Sequence, residues 1–320
     1  MKVTLDLSKL LEEGKITPAE AERFQALSAR GTGALGINIL LGFGVVAVSA
    51  GAMALLPSVF TAIPIGVVAF AIGLGLILSD ARQWEVLAQI LLVIGALMVS
   101  AATIALGNGS LASMLGVTAM LTVGSIVARS SLLMAMAVLA ASACLGARTG
   151  YEHAMYSLAI YEPTLTIVLF SLIALGTFLA SKRLPADYER IAITAARTSV
   201  FIVNFGFWIG SLWGDPLVLI RSLSNPGLTS QSRWDDPVIP AWVFSVGWAI
   251  ALLALALWAL KANRRWVINV AAVFGAIHFY TQWFERLGAT PGAILIGGLL
   301  MLALALALWV FNRRSEASTA

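Results

Sequence analysis

The stretch His278-Phe279-Tyr280-Thr281-Gln282-Trp283-Phe284-Glu285 holds the residues best suited to chemistry in this chain. His278, Thr281 and Glu285 are spaced by three and four positions, so a helix sets them on one face. Histidine is the side chain whose charge changes most easily near neutral pH. With a carboxylate two turns away, it suits a proton relay or the binding of a polar solute. Hydrogen bonding between helices at a water interface accounts for the same residues equally well. Asn269 lies earlier in the same segment. A second face comes from Arg197, Phe201, Asn204 and Trp208, again at helical spacing. Asn204 is the deeper polar group and needs a partner helix, a water or a ligand. Arg197 sits near the end of its segment, where its stem lets the charge reach headgroups. Asn204, Asn269, His278, Thr281 and Glu285 therefore form the candidate polar site, with no catalytic residue assigned.

Other chemical constellations are absent. His153 and His278 are the only histidines and Cys144 is the only cysteine, so the sequence holds neither a zinc motif nor an internal disulfide. It has no phosphate-binding Gly-Lys-Ser/Thr loop and no Gly-x-Ser-x-Gly elbow. Gly107-Asn108-Gly109 is a tight turn rather than a nucleotide fingerprint. No cofactor, metal or nucleic-acid partner is expected.

The elements that carry the candidate residues are written in the composition. Of 320 residues, 60% are hydrophobic and 11% charged, against about 45–50% and about 25% in a soluble domain. The apolar residues come in blocks long enough to cross a hydrocarbon core, which takes roughly 20 residues. Ten blocks run over residues 35–56, 59–79, 85–106, 111–128, 130–146, 162–180, 194–213, 239–260, 265–284 and 290–311. The fourth and fifth are short and separated only by Arg129 and Ser130. They are either full crossings, a long buried hairpin or a pair of half-length helices.

Charge orients these blocks. With the amino terminus inside and ten crossings, sixteen of the twenty Lys and Arg residues fall on the inner side, as the positive-inside rule requires. The net charge of +4 is explained by this topology rather than by an acidic partner. Seven of the ten tryptophans fall near block ends, where an indole ring prefers the headgroup region. No secretory signal precedes the first block. The expected fold is an all-α polytopic membrane protein of about ten spans, with both ends cytoplasmic. Residues 35–146 hold five spans and residues 162–311 hold five. An odd count per half is compatible with an inverted repeat, although no residue-level repeat is visible. The long outer connection, residues 213–238, is either a solvated loop or a cap over an outward cavity. Residues 1–34 read as a cytoplasmic helical hairpin, and 312–320 as a cytoplasmic tail. Within the hairpin, Gly14 stops a first helix, Thr17 caps a second, Pro18 opens it and Glu20 completes a capping box. Residues 5–30 offer a docking surface for a cytoplasmic protein partner. The bilayer is the other partner.

Two stretches carry a family resemblance. One is Leu10-Leu11-Glu12-Glu13-Gly14-Lys15-Ile16-Thr17-Pro18-Ala19-Glu20-Ala21-Glu22-Arg23, leading into a Gly-rich apolar block. The other runs from Phe279-Tyr280 through Leu287-Gly288, Gly292 and Ile296-Gly297-Gly298-Leu299-Leu300 to Asn312-Arg313-Arg314. Together they resemble the bacterial predicted membrane proteins of the domain-of-unknown-function 2157 family. The resemblance implies a multi-span bacterial inner-membrane protein with a small cytoplasmic amino-terminal hairpin, and carries no functional residues over. Three functions are compatible with these features: a small-solute transporter or permease-like protein, a non-catalytic scaffold or sensor that docks a partner on its hairpin, and an intramembrane enzyme acting on a lipid-linked substrate. A transporter requires a polar site near the midplane, a scaffold a packed bundle with an exposed hairpin face, and an enzyme a polar cluster open to the headgroups.

Overall fold

The computed structural model describes residues 11, 14–79, 82–152, 155–219, 237–262 and 264–317. Ten long helices account for most of them. They are α1 (Pro18–Leu55), α2 (Val59–Leu78), α3 (Glu85–Leu106), α4 (Leu111–Val127), α5 (Ser131–Cys144), α6 (Pro163–Ser181), α7 (Ala186–Trp213), α8 (Ala241–Lys261), α9 (Arg265–Leu287) and α10 (Pro291–Ala317). Seven apolar stretches among the described residues are long enough to cross a membrane: Ile37–Leu55 within α1, and α2, α3, α6, α7, α8 and α9. Helices α4 and α5 are shorter, at 17 and 14 residues. Phe43, Phe60, Leu253 and Leu295 are among the many large apolar side chains turned outward. Such a surface aggregates in water and is the ordinary one in lipid. The chain is a multi-pass α-helical membrane protein.

The amino-terminal capping chemistry forms as the spacing predicts. The Glu20 N–H donates to Thr17 Oγ1 (3.3 Å), and the Thr17 N–H donates back to Glu20 Oε2 (2.9 Å). The helix that this box starts does not end near Arg30, however. It continues unbroken to Leu55 as one 38-residue helix, which corrects the expectation of a separate second hairpin arm. Gly31 and Gly33 each weaken a helix by only about 1 kcal/mol relative to Ala, and the apolar run that follows carries it on. The first arm, residues 5–13, lies outside the described residues apart from Leu11. A second difference lies between α5 and α6. Arg148–Glu152 and Met155–Ala159 pair as an antiparallel ribbon with Tyr151 opposite Tyr156. The sequence reading placed no strand in this connection, although tyrosine and threonine favour strands; the spans remain helical.

The chain divides into two compact units. The first comprises Met1–Ala141 and Ala180–Ala195. Its tightest contact is between α2 and α3, where backbone meets backbone. A Cβ placed on Gly95 would lie 2.5 Å from the Phe70 nitrogen and 2.6 Å from the Gly66 oxygen, and one on Gly73 would lie 2.8 Å from the Ala88 oxygen. Leu92 and Ala96 of α3 then pack with Val117 and Leu121 of α4 and Leu133 and Ala137 of α5. Two buried serines hold the α4–α5 turn: Ser125 Oγ donates to the Ser130 carbonyl (3.0 Å), and Ser130 Oγ donates to Gln89 Oε1 of α3 (3.1 Å). Arg129 takes a left-handed conformation (φ 49°) and points away to pair with Asp187 at 2.9 Å. Asn38 ties α1 to the start of α3, donating to the Gln83 carbonyl (2.7 Å) and accepting from the Leu87 N–H (3.3 Å).

The second unit comprises Ser142–Leu179 and Ala196–Ala320. Trp248, Leu252, Val270 and Phe274 form its core, with Val200, Phe207, Trp208, Trp266 and Ile277 packed against them. Helix α7 approaches α8 at Gly210, where a Cβ would come within 2.6 Å of the Phe244 ring.

Candidate functional site

Three helices of the second unit position the candidate residues. Helix α7 presents Arg197, Phe201, Asn204 and Trp208 along one face, as their spacing predicts, and every one of them meets α8 or α9. The Arg197 guanidinium lies 5.0 Å from the centre of the Trp266 ring, and Phe201 meets Phe274 edge-on at 5.5 Å. Asn204 is buried; its Nδ2 donates to the Val200 carbonyl (2.8 Å), while its Oδ1 accepts from Trp248 Nε1 (2.9 Å). Trp208 Nε1 donates to Thr281 Oγ1 at 3.0 Å. An indole N–H inside a membrane must find an acceptor, and in both cases a neighbouring helix supplies it.

His278 also meets Trp248, their rings edge to face with centroids 5.0 Å apart. Asn204, Trp248 and His278 thus form a row across α7, α8 and α9. The row lies seven to nine residues from the end where α7 finishes and α8 begins, a depth of about 10–14 Å at 1.5 Å per residue. Gln282 sits one turn beyond His278. His278 Nδ1 and Gln282 Nε2 are both buried and neither has a hydrogen-bond partner. Buried polar groups are rarely left this way, and inside a helical membrane bundle the cost is higher still.

Two candidate residues fall elsewhere. Asn269 is exposed. The buried stripe of α9 runs through Val270 and Phe274 toward His278, and Asn269 is one position off it, a turn of about 100°. Glu285 is also exposed, in the last turn of α9, where a carboxylate keeps its water. The structure therefore brings together Asn204, His278 and Thr281, and leaves Asn269 and Glu285 outside. It adds Trp248 and Gln282, which the spacing argument did not select. Trp248 had a signal: it is a tryptophan well inside an apolar block, away from the headgroup level that explains seven of the others.

A second polar cluster closes one end of the same unit. Asp215 is fully buried and caps α6 from a distant point in the chain, its Oδ2 accepting from the Thr164 N–H (2.8 Å) and its Oδ1 from the Leu217 N–H (2.7 Å). Its backbone pairs with Ile239 on both sides, at 2.9 and 3.1 Å. Glu162, just before α6, accepts from the Leu219 N–H. Burial pushes the Glu162 carboxyl above its ordinary value; the Leu219 N–H pulls it back in part, and the charge of Asp215 adds to the rise. Both carboxylates are held by backbone N–H groups, so the cluster fastens the outer segment to a helix end. The connection from 220 to 236 lies outside the described residues, and with it the expected loop or cap.

Among the described residues, no group of three or more His, Cys, Asp or Glu side chains is placed to hold a metal ion. No protein-family profile, no curated protein and no solved structure matches the chain.

Proposed function

We propose that this protein is a bacterial inner-membrane protein of ten spans, with both ends cytoplasmic, that passes a small solute through its second unit. Its two terminal motifs group it with the domain-of-unknown-function 2157 membrane proteins. The observation that carries the transport reading is the pair of buried, partnerless nitrogens on α9, His278 Nδ1 and Gln282 Nε2, beside the Asn204–Trp248 hydrogen bond. Polar groups at this depth are costly and mark solute or ion paths. Asn204, Trp208, Trp248 and Thr281 beside them are satisfied within the protein, and these two are not. They are the atoms a passing solute would satisfy.

The path is tested with cysteines. In a Cys144→Ser background, His278→Cys is exposed to a small hydrophilic thiol reagent in membrane vesicles, with Leu253→Cys on the outward apolar face as control. The expected outcome is modification at 278 and none at 253. No modification at 278 from either side describes a dry bundle and ends the transport reading.

A second reading is favoured by one feature, the unbroken helix α1. Its apolar block begins at residue 35, so the stretch from Pro18 to Ala34 extends about 25 Å beyond it. A capped helix continuous with a membrane span is a rigid arm on which a cytoplasmic partner can dock. A dry bundle in the cysteine experiment turns the assignment to this reading.

A further inference from the structure

We infer that the solute recognised at His278 and Gln282 is small, uncharged and carries an accepting oxygen with a hydroxyl or amide hydrogen beside it; this rests on the transport reading above. The first ground is charge. From Thr198 to Trp213, from Ala241 to Leu260 and from Trp266 to Phe284 the three helices contain no Asp, Glu, Lys or Arg. The nearest described charges on them flank these stretches: Arg197 lies against Trp266, and Glu285 and Arg286 are exposed. An ion at this depth would have no opposite charge to offset its desolvation.

The second ground is the kind of atom left free. A metal ion or alkali cation needs a set of oxygens. Two oxygens of the site are already engaged: Asn204 Oδ1 accepts from Trp248 and Thr281 Oγ1 accepts from Trp208. On α9 the buried atoms left without a partner are nitrogens. Gln282 Nε2 is a donor only, so its complement is an oxygen. His278 Nδ1 donates or accepts according to its tautomer, and a hydroxyl or a urea-type amide answers either. The donor and the imidazole are one helical turn apart, which spans a solute of a few heavy atoms. The Trp248 ring beside them adds an apolar wall.

The experiment uses the full-length protein in liposomes and four probes: urea and glycerol followed by stopped-flow light scattering, and thallium and chloride followed by fluorescence quenching. Gln282→Met and His278→Phe each remove the polar nitrogen at nearly constant volume. Whichever elutes as the wild-type protein does is carried into the assay. The expected result is urea or glycerol flux above that of protein-free liposomes, no thallium or chloride flux, and about tenfold lower neutral flux in the variant, the factor one such hydrogen bond is worth. Thallium or chloride flux that the variant abolishes, without neutral flux, overturns the solute class and leaves the path standing. Neutral flux that the variant does not change overturns the recognition site. No flux of any probe, together with an unmodified cysteine at 278, overturns the transport reading itself; no flux with a modified cysteine overturns the solute class alone.

Discussion

Glu162 and Asp215 meet the same problem, a carboxylate taken out of water, with different resources. Asp215 has a backbone N–H for each oxygen. Glu162 has the single N–H of Leu219 and a negative neighbour, and burial raises its pKa. The sign of the consequence follows from linkage. The folded state binds the Glu162 proton more tightly than the unfolded chain does, so the favourable contribution is complete below the ordinary carboxylate range. It is lost as pH rises through the raised value. Glu162→Gln keeps an accepting oxygen for Leu219 and has no charge to desolvate. Thermal melts of the detergent-solubilised protein from about pH 4 to about pH 7 should therefore fall less steeply with rising pH in the variant than in the wild type. An unchanged slope would mean that the Glu162 carboxylate is already well solvated in the folded protein.

At the scale of elements, the α2–α3 contact decides how the first unit holds together. With lipid outside as apolar as any side chain, helices associate through close packing, which small residues permit. Gly95→Ala sets a methyl against the backbone of Phe70 and Gly66, which has no rotamer to yield, and should cost about 1–3 kcal/mol. Gly75→Ala on α2 meets nothing within 4 Å and should be neutral, or stabilising by up to about 1 kcal/mol through helix propensity. Melting temperatures of the two variants in one detergent make the comparison, and equal losses would remove the packing argument. The contrast also marks what the sequence can convey. By residue type alone, glycines at 36, 42, 44, 51, 66, 73 and 75 favour close helix packing, yet those at 44, 51 and 75 face open space, because a single helix does not reveal which of its faces has a neighbour. For the same reason the spacing that grouped Arg197, Asn204 and Trp208 held, while Asn269 fell off the buried stripe of its helix. The capping box at Thr17 was legible because it is wholly local. The continuity of α1 was not, since two glycines suggest a break that a strong apolar run overrides. The ribbon at residues 148–159 lay hidden in a connection short enough to pass for a loop.

For the whole molecule, the question is which helix ends share a side of the membrane, and contacts within each unit bear on it. Alternation through ten spans puts the α4–α5 turn and the start of α7 together on the inner side, and Arg129 pairs there with Asp187 at 2.9 Å while Arg190 Nη2 donates to the Arg129 carbonyl (3.3 Å). It puts Asn38 beside residues 83–87, and Arg197 beside Trp266, again as inner pairs. It makes Glu162 with Leu219, and Trp283 with Ala293, outer pairs. Each observed contact joins two ends that alternation assigns to the same side. The short helices α4 and α5 are the critical case. Asp187 lies at the far end of a 28-residue helix from Trp213, about 40 Å away, more than the roughly 30 Å of a hydrocarbon core. A turn that reaches Asp187 is expected at the same membrane surface as the start of α7 rather than at the midplane, and full crossings by α4 and α5 are what the following experiment tests. With Cys144→Ser as background, Arg129→Cys should react with a membrane-impermeant maleimide in inside-out vesicles and stay protected in right-side-out ones, while Gly150→Cys in the ribbon should show the reverse. Protection of residue 129 from both sides would make α4 and α5 a half-length pair, and the span count would fall from ten to eight with the inner and outer assignments of the remaining helices unchanged.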